Sequence, residues 1–306
     1  SVFDNDVKSG HTDTNIYISQ GGCLPSGSFL LYRPDIHRWY EPFNDDFGPI
    51  SISFTLQFIS VLENQLAQCL VTGCESLVLS VEDGPRTLTN AAFLVGCYMV
   101  MKLDKTPDQV MDCFAKLERA LFEDYRDASD SPADFGLTLK DCWGGLQRGR
   151  ACGWIACPDP LDTMFWGNFD LEKYIHFDDP FNADMHEVVP NKLVAFRGPK
   201  DLGAATFADD ARGVRHFSPG YYHDPFELFG VSTVIRLNEH QYDRAAFAAA
   251  GIDHNDLLLD DGAPPPHDAI AAFFRIVDAA PGAVAVHCRA GLGRTGTLVA
   301  LWLMCR

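Results

Sequence analysis

Apolar runs of strand length alternate along this chain with stretches whose apolar positions recur at helical spacing. In the first half, Gly27 to Tyr32 reads as a strand and leads into the aromatic-rich loop WYEPFNDDFGPI. Ser53 to Gln68 reads as an amphipathic helix, and SLVLSV, Ser76 to Val81, as a buried strand. Glu82 to Thr89 is expected as a loop. The apolar helix NAAFLVGCYMVMKL follows, with Asn90 as its N-cap, because a side-chain oxygen there can accept from an unpaired backbone N–H. Thr106-Pro107-Asp108 marks a helix start with proline at the first helical position, where no amide donor is needed. A further helix is expected over Leu137 to Gly149. Ala151 to Pro180 breaks the rhythm with prolines, tryptophans and acids, and reads as a linker.

The second half starts afresh. LVAFRGP is a strand ending in a turn, Pro225 to Phe229 is helical, and VSTVIRLN is a strand. DRAAFAAAG is a helix ending at Gly251, DHNDLLL leads into a strand, and DAIAAFFRIVDAA is a helix. GAVAVHC is a buried strand running into a glycine-rich loop and the helix GTLVALWLM. Strands alternating with helices predict an α/β fold with mostly parallel central sheets flanked by helices. One echo divides it: SLVLSVEDGPRTLTNAAFLVGCYMV and GAVAVHCRAGLGRTGTLVALWLM share the order apolar strand, loop with Gly and Arg, apolar helix, but only the second loop has a cysteine. The expectation is two related domains in tandem, 1–165 and 182–306, joined by a linker helix in 166–181.

The 306 residues suffice for two such cores. A formal charge of -18, from 42 acids and 24 bases, excludes nucleic acid and anionic membrane surfaces as main partners and suits partners with basic segments. No apolar run approaches the roughly 18 residues of a membrane span, and SVFDNDVKSGHTDTN lacks the basic-then-apolar pattern of a signal peptide. The ten irregularly spaced cysteines read as reduced thiols of a nuclear or cytoplasmic protein. Neither Cys69 with Cys74 nor Cys152 with Cys157 has histidines at zinc-site spacing, so no metal or other cofactor is expected.

His287-Cys288-Arg289-Ala290-Gly291-Leu292-Gly293-Arg294-Thr295-Gly296 fits H-C-x5-R-[ST]-G at every fixed position. Between a strand and a helix N-terminus, such a loop aims backbone N–H groups and the helix dipole at one point and makes an anion nest. Gly291, Gly293 and Gly296 are expected to let the backbone curl close to a phosphate. In that field Cys288 would ionise readily and act as a nucleophile on phosphorus. Arg294 would grip two phosphate oxygens with its planar fork, and Thr295 would donate to the thiolate. His287 is expected to support the loop. The leaving oxygen needs a proton, and Asp261, beside Gly262 in LLLDDGAPPP, is the preferred acid, with Asp260 the alternative.

These segments, together with WYEPFNDDFGP, NAAFLVGCYMV, the YRDAS segment, VVPNKLVAFRGP, TVIRLNEHQYD and AGIDHNDLLLDDG, resemble the cell-division-cycle-fourteen dual-specificity phosphatases over almost the whole chain. Those are mitotic-exit enzymes that reverse proline-directed phosphorylation. The resemblance implies two phosphatase-like domains, only the second catalytic. It implies Cys288 as nucleophile, Arg294 as phosphate binder and Asp261 as general acid. It also implies phosphoprotein substrates with phosphoserine before proline and a basic residue further on, read by an acidic groove. The matching linker helix is LEKYIHFDD: Asp178 fills one expected acidic position, Ile175 stands at the other, and Glu172 or Asp179 would compensate. ACPDPLDTMFWGN reads as an insertion. Arg306 falls within the helix after the loop, and the resemblance implies further helices that complete the catalytic domain. Two other functions compete: a phosphoinositide phosphatase, disfavoured because Leu292 sits mid-loop and only Arg289 adds charge, and a noncatalytic phosphoprotein-binding fragment.

Overall fold

The computed structural model describes residues 2–8 as backbone, and 14–22, 24–36, 39–40, 42, 44–115, 119–128, 132–133, 135–158 and 164–305. Residues 159–163 of the expected insertion, and 41, 43 and 129 of the segments quoted above, lie outside the described residues. Contacts divide the chain into two compact units, Ser1–Gly167 and Asn168–Arg306.

The first unit has strands β1 (Val2–Lys8), β2 (Asn15–Ser19) and β3 (Phe29–Tyr32), helix α1 (Ile52–Thr72), strand β4 (Ser76–Ser80), and helices α2 (Pro85–Lys102), α3 (Pro107–Cys113) and α4 (Leu139–Ala151). Its sheet runs β1-β2-β4-β3, with β4 parallel to both β2 and β3, and β1 antiparallel at the edge. β1 and β2 were not expected from the polar start of the chain. The expected cap at Asn90 is corrected: α2 begins at Pro85 after Gly84, and Asn90 is buried within the helix, where its side-chain oxygen accepts from the Tyr125 hydroxyl at 2.9 Å. Proline in the first turn forfeits no intrahelical bond, so the helix extends back through the residues expected as loop. α4 starts two residues later than expected, at a capping box of Thr138 and Asp141.

The second unit begins with helix α5 (Leu171–Asp178), shorter than the expected linker, N-capped by the Asp170 side chain. Strands β5 (Met185–Val189) and β6 (Leu193–Phe196), the hairpin β7 (Phe207–Asp209) and β8 (Arg215–Phe217), helix α6 (His223–Leu228), strand β9 (Val231–Arg236), the short helix α7 (Ala245–Ala248) and strand β10 (Asp253–Asp256) follow. Helix α8 (His267–Ala279), strand β11 (Ala283–His287) and helix α9 (Gly293–Met304) end the described chain. The sheet order is β10-β9-β11-β6-β5, parallel except for β5.

β11 is the central strand, and all five of its residues are buried. Alternation splits its side chains between two faces. Ala283 and Ala285 face a cluster that includes Phe196, Tyr222, Phe226, Phe229, Tyr242 and Phe247. The same period puts His287 on that face, where its ring lies 4.9 Å from Phe196 and 5.6 Å from Tyr242. α9 packs on β11 and β6 and against α8, with Trp302 Nε1 donating to Asp278 Oδ1 at 3.1 Å. Because four strands are parallel, their C-terminal ends share one edge. The loops after β6, β9, β10 and β11 all emerge there, the usual ligand edge of such sheets.

The first unit depends on one close helix contact. A Cβ on Gly96 would lie 2.2 Å from the fully buried Trp143 ring, whose Nε1 donates to the Phe93 carbonyl at 3.0 Å. Gly96→Ala gains about 1 kcal/mol of helix propensity but overpacks by about 3 kcal/mol. The expected net loss is about 2 kcal/mol, read from urea unfolding of the whole chain; an unchanged or raised midpoint contradicts this packing.

Candidate active site

β11 delivers Cys288 at the buried centre of the ligand edge, and α9 takes the chain away from Gly293, three residues before the expected start of that helix. The intervening turn needs two glycines. Gly291 has φ +78, and a Cβ there would lie 2.4 Å from the Phe196 carbonyl oxygen. The other, Gly198, follows β6 and was read only as part of a turn: its Cβ would lie 2.2 Å from the Cys288 carbonyl oxygen. Gly293 and Gly296, expected to serve the same purpose, lie in α9 with nothing within 4 Å of an added Cβ, so packing does not demand glycine there.

The back of the loop is tied down. The Gly198 amide donates to the Arg289 carbonyl at 3.2 Å, and His287 Nδ1 lies 2.8 Å from the Cys288 carbonyl. In a trans peptide the C=O and the next N–H point oppositely, so tying these carbonyls backwards turns the amides of Arg289 and Ala290 to the other side of the loop. The amides of Arg289, Ala290 and Leu292 have no protein acceptor among the described residues. With the helix mouth of α9 they form a set of donors suited to an oxyanion. Arg289 and Leu292 have exposed side chains, and Ala290 is half-buried.

Cys288 is only 4% exposed. Burial alone pushes its thiol pKa up. The Thr295 hydroxyl and amide, the Gly291 amide and the Arg294 charge outweigh that and hold it below the ordinary value of 9.0. The Thr295 hydroxyl, fully buried, has no geometrically regular partner among the described residues; what it stabilises is the sulfur.

Arg294 is 9% exposed, and its Nη1 donates to the Leu259 carbonyl at 3.2 Å. Its Nε lies 3.4 Å from Asp261 Oδ1 without hydrogen-bond alignment, which leaves donor capacity for an anion. Asp261 is thus beside the loop, on the chain that leaves β10, with its side chain 78% exposed. Asp260 is exposed and makes no hydrogen bond or ion pair with the loop among the described residues. Behind the loop, His287 Nε2 lies 2.8 Å from the Tyr242 hydroxyl, which lies 2.8 Å from His254 Nε2. Burial chiefly lowers the pKa of His287 to about 3 and of His254 to about 4, with the Arg236 charge adding to both. Leu259, Tyr242 and His254 escaped notice in the sequence, because nothing in their local pattern reports a contact across the sheet.

The residues expected to line an acidic groove lie on α5 and at its C-terminal end. Asp178 Oδ1 lies 3.0 Å from His186 Nδ1, and Asp179 accepts from the Phe181 amide at 2.8 Å. Glu172 and Ile175 are exposed on α5. None of these acids bonds to the Cys288 loop among the described residues.

The first unit carries the same strand–loop–helix unit at β4 and α2, filled by protein. Arg86 is paired with Glu123 at 2.8 Å and Asp45 at 3.1 Å, and the Gln20 amide donates to the Glu82 and Gly84 carbonyls. It has neither a thiol nor an unspent guanidinium.

Residues 26–149 match the family model for the dual specificity protein phosphatase N-terminal half, and residues 224–306 match a polymorphic toxin system DSP-PTPase phosphatase. Human dual specificity protein phosphatase CDC14C is 33% identical over 87% of this chain and 56% of its own length. The chain belongs to the CDC14 family of dual-specificity phosphatases. Mouse CDC14B is also 33% identical over 87% of the chain, covering 51% of that protein. The Caenorhabditis elegans tyrosine-protein phosphatase cdc-14 is 33% identical, with 36% of its length covered. The chain spans about half the length of the first CDC14 relatives it matches. Among solved structures, a protein tyrosine phosphatase from Leishmania major overlaps 38% of this chain and 69% of its own, at 25% identity and a TM-score of 0.30. The two matched regions hold the two copies of the motif, the first filled by protein and the second with amides that have no protein acceptor among the described residues.

The thiol predicts its own test. Alkylation of Cys288 by iodoacetamide should follow a titration midpoint below 9.0. Thr295→Ala removes a hydrogen bond to the anion and should raise the midpoint by about one unit, slowing alkylation at neutral pH up to about tenfold. A midpoint unmoved by Thr295→Ala contradicts the assignment.

Proposed function

We propose that this chain is a cysteine-dependent protein phosphatase in which Cys288 receives the phosphoryl group and Asp261 handles the proton. The observation that carries the reading is a buried thiol with a depressed pKa beneath loop amides that have no protein acceptor, at the mouth of α9. The phosphate dianion sits on the amides of 289–294, and the Arg294 fork spans two of its oxygens. The Cys288 thiolate forms an S–P bond as the P–O bond to the substrate breaks, and protonated Asp261 gives its proton to the departing oxygen. Water then attacks phosphorus, the Asp261 carboxylate takes its proton, and the S–P bond breaks with the Thr295 hydroxyl supporting the leaving thiolate. The nearness of the exposed Asp261 carboxyl to Arg294 puts it beside the phosphate site, where both proton transfers take place.

The family resemblance supports phosphoproteins as substrates, with phosphoserine before proline preferred, phosphothreonine and phosphotyrosine accepted, and a basic residue further on. For that basic residue we assign Glu172 the leading part, because Asp179 is engaged in its own turn and Asp178 faces His186. Nucleus and cytoplasm are the proposed sites of action.

Cys288→Ser should abolish hydrolysis while phosphopeptide binding persists. Asp261→Ala should slow phosphoserine hydrolysis by about 100-fold or more but aryl phosphate hydrolysis much less, because a phenolate leaves without help. Steady-state rates on both substrates check this; equal losses contradict Asp261 as the acid, and hydrolysis surviving in Cys288→Ser contradicts the nucleophile. A phosphopeptide bound but never hydrolysed by the unaltered chain would favour a noncatalytic binding role.

A further inference from the structure

The line of hydrogen bonds behind the loop has a direction, and the Cys288 end sets it. A carbonyl oxygen can only accept, so His287 Nδ1, 2.8 Å from the Cys288 carbonyl, must carry the hydrogen. Buried on the aromatic face of β11, His287 is neutral, so its Nε2 is a lone pair. The Tyr242 hydroxyl at 2.8 Å therefore donates to it. Tyr242 has one hydrogen to give, so its oxygen accepts from His254 Nε2–H, also at 2.8 Å. His254 is then left with a bare Nδ1, and that atom is buried without a partner. Each element is held where the line needs it. Arg236, 1% exposed, donates to the Tyr242 carbonyl at 2.8 Å and pairs with Asp256 at 2.7 Å, while His254 stacks on Phe247.

The opposite direction is chemically possible and harmful. If His287 carried its hydrogen on Nε2, a lone pair would face the Cys288 carbonyl oxygen at 2.8 Å. The cheapest relief is rotation of the Cys288–Arg289 peptide, which turns a carbonyl toward the anion in place of an N–H. A His254 in the Nε2–H tautomer disfavours this state, because Tyr242 would then face two N–H donors and its own buried hydroxyl hydrogen would have no acceptor among them.

We propose that Tyr242 and His254 are positioning residues for phosphoryl transfer: they fix His287 as the Nδ1–H tautomer and so keep the Arg289 amide aimed at the phosphate. The proposal rests on the phosphatase reading for its kinetic consequence, but not for its tautomer. His254 never touches the substrate and acts only through Tyr242 and His287.

Long-range proton–nitrogen correlation on chain labelled with 15N-histidine reads the tautomers directly. The expected result is His287 protonated on Nδ1 and His254 on Nε2. Tyr242→Phe, which keeps the ring packing, should lower kcat on an aryl phosphate about tenfold, the worth of one buried hydrogen bond. His254→Leu should bring His287 into exchange between tautomers and cause a severalfold loss. His254→Gln retains an amide donor and should restore the Nδ1–H signature and most of kcat, which a merely space-filling role would not predict. An Nε2-protonated His287 in the unaltered chain, or a Tyr242→Phe variant with unchanged kcat, overturns the proposal. A chain with no hydrolysis at all strikes the phosphatase reading, and the tautomer of His287 still decides this one.

Discussion

An anionic sulfur has to be kept inside protein, and everything around Cys288 answers that constraint. Removing a thiol from water favours its neutral form, and here burial does push the pKa up. Donors fixed in place reverse the balance: the Thr295 hydroxyl and amide, the Gly291 amide and the Arg294 charge. They can do so because a fully buried central strand ends where a helix begins. The orphan N–H groups of that helix and the turn before it then converge without a flexible side chain having to be ordered.

The same constraint explains why the rear of the loop is so closely built. Amides point at an anion only if their partner carbonyls point away, and carbonyls stay away only if something holds them. Gly198 holds one and His287 the other, and each can do so only at very short range. A side chain at Gly198 would collide with the carbonyl of Cys288 itself. The first unit shows the motif without this demand. Its arginine, Arg86, is neutralised by Glu123 and Asp45, and its turn carbonyls are taken up by Gln20. Shared strand–loop–helix geometry is therefore not sufficient; a guanidinium with donors to spare and amides without protein acceptors distinguish the second unit.

Much of this was legible in the sequence because it is local. The strand, turn and helix around Cys288 appear as a contiguous apolar run, a glycine cluster and a second apolar run, and Asp261 stands out beside Gly262 in the loop that follows β10. Asn90 misled because asparagine before an apolar run has the appearance of a cap, whereas proline five residues earlier had already started the helix and Tyr125 had engaged the amide. The short strand β2 escaped because only its pairing with β4 reveals it. Gly198, Tyr242 and His254 could not be read at all: their roles arise from the approach of Gly198 to Cys288 and from side-chain contacts of Tyr242 with His254 and His287, 12 and 45 residues apart along the chain, between elements that only the sheet order brings together. The acids of α5 show the converse. Sequence placed three carboxylates near one helix, but folding commits Asp178 to His186 and Asp179 to a turn.

The central claim is that the Cys288 sulfur accepts the phosphoryl group. Mixing the chain with an aryl phosphate, quenching in acid within the first turnovers and mapping peptides by mass spectrometry tests it most directly. The account predicts one phosphoryl group on the peptide containing Cys288, at that residue. Turnover with Cys288 unmodified at every quench time, or with the label on another side chain, would contradict it.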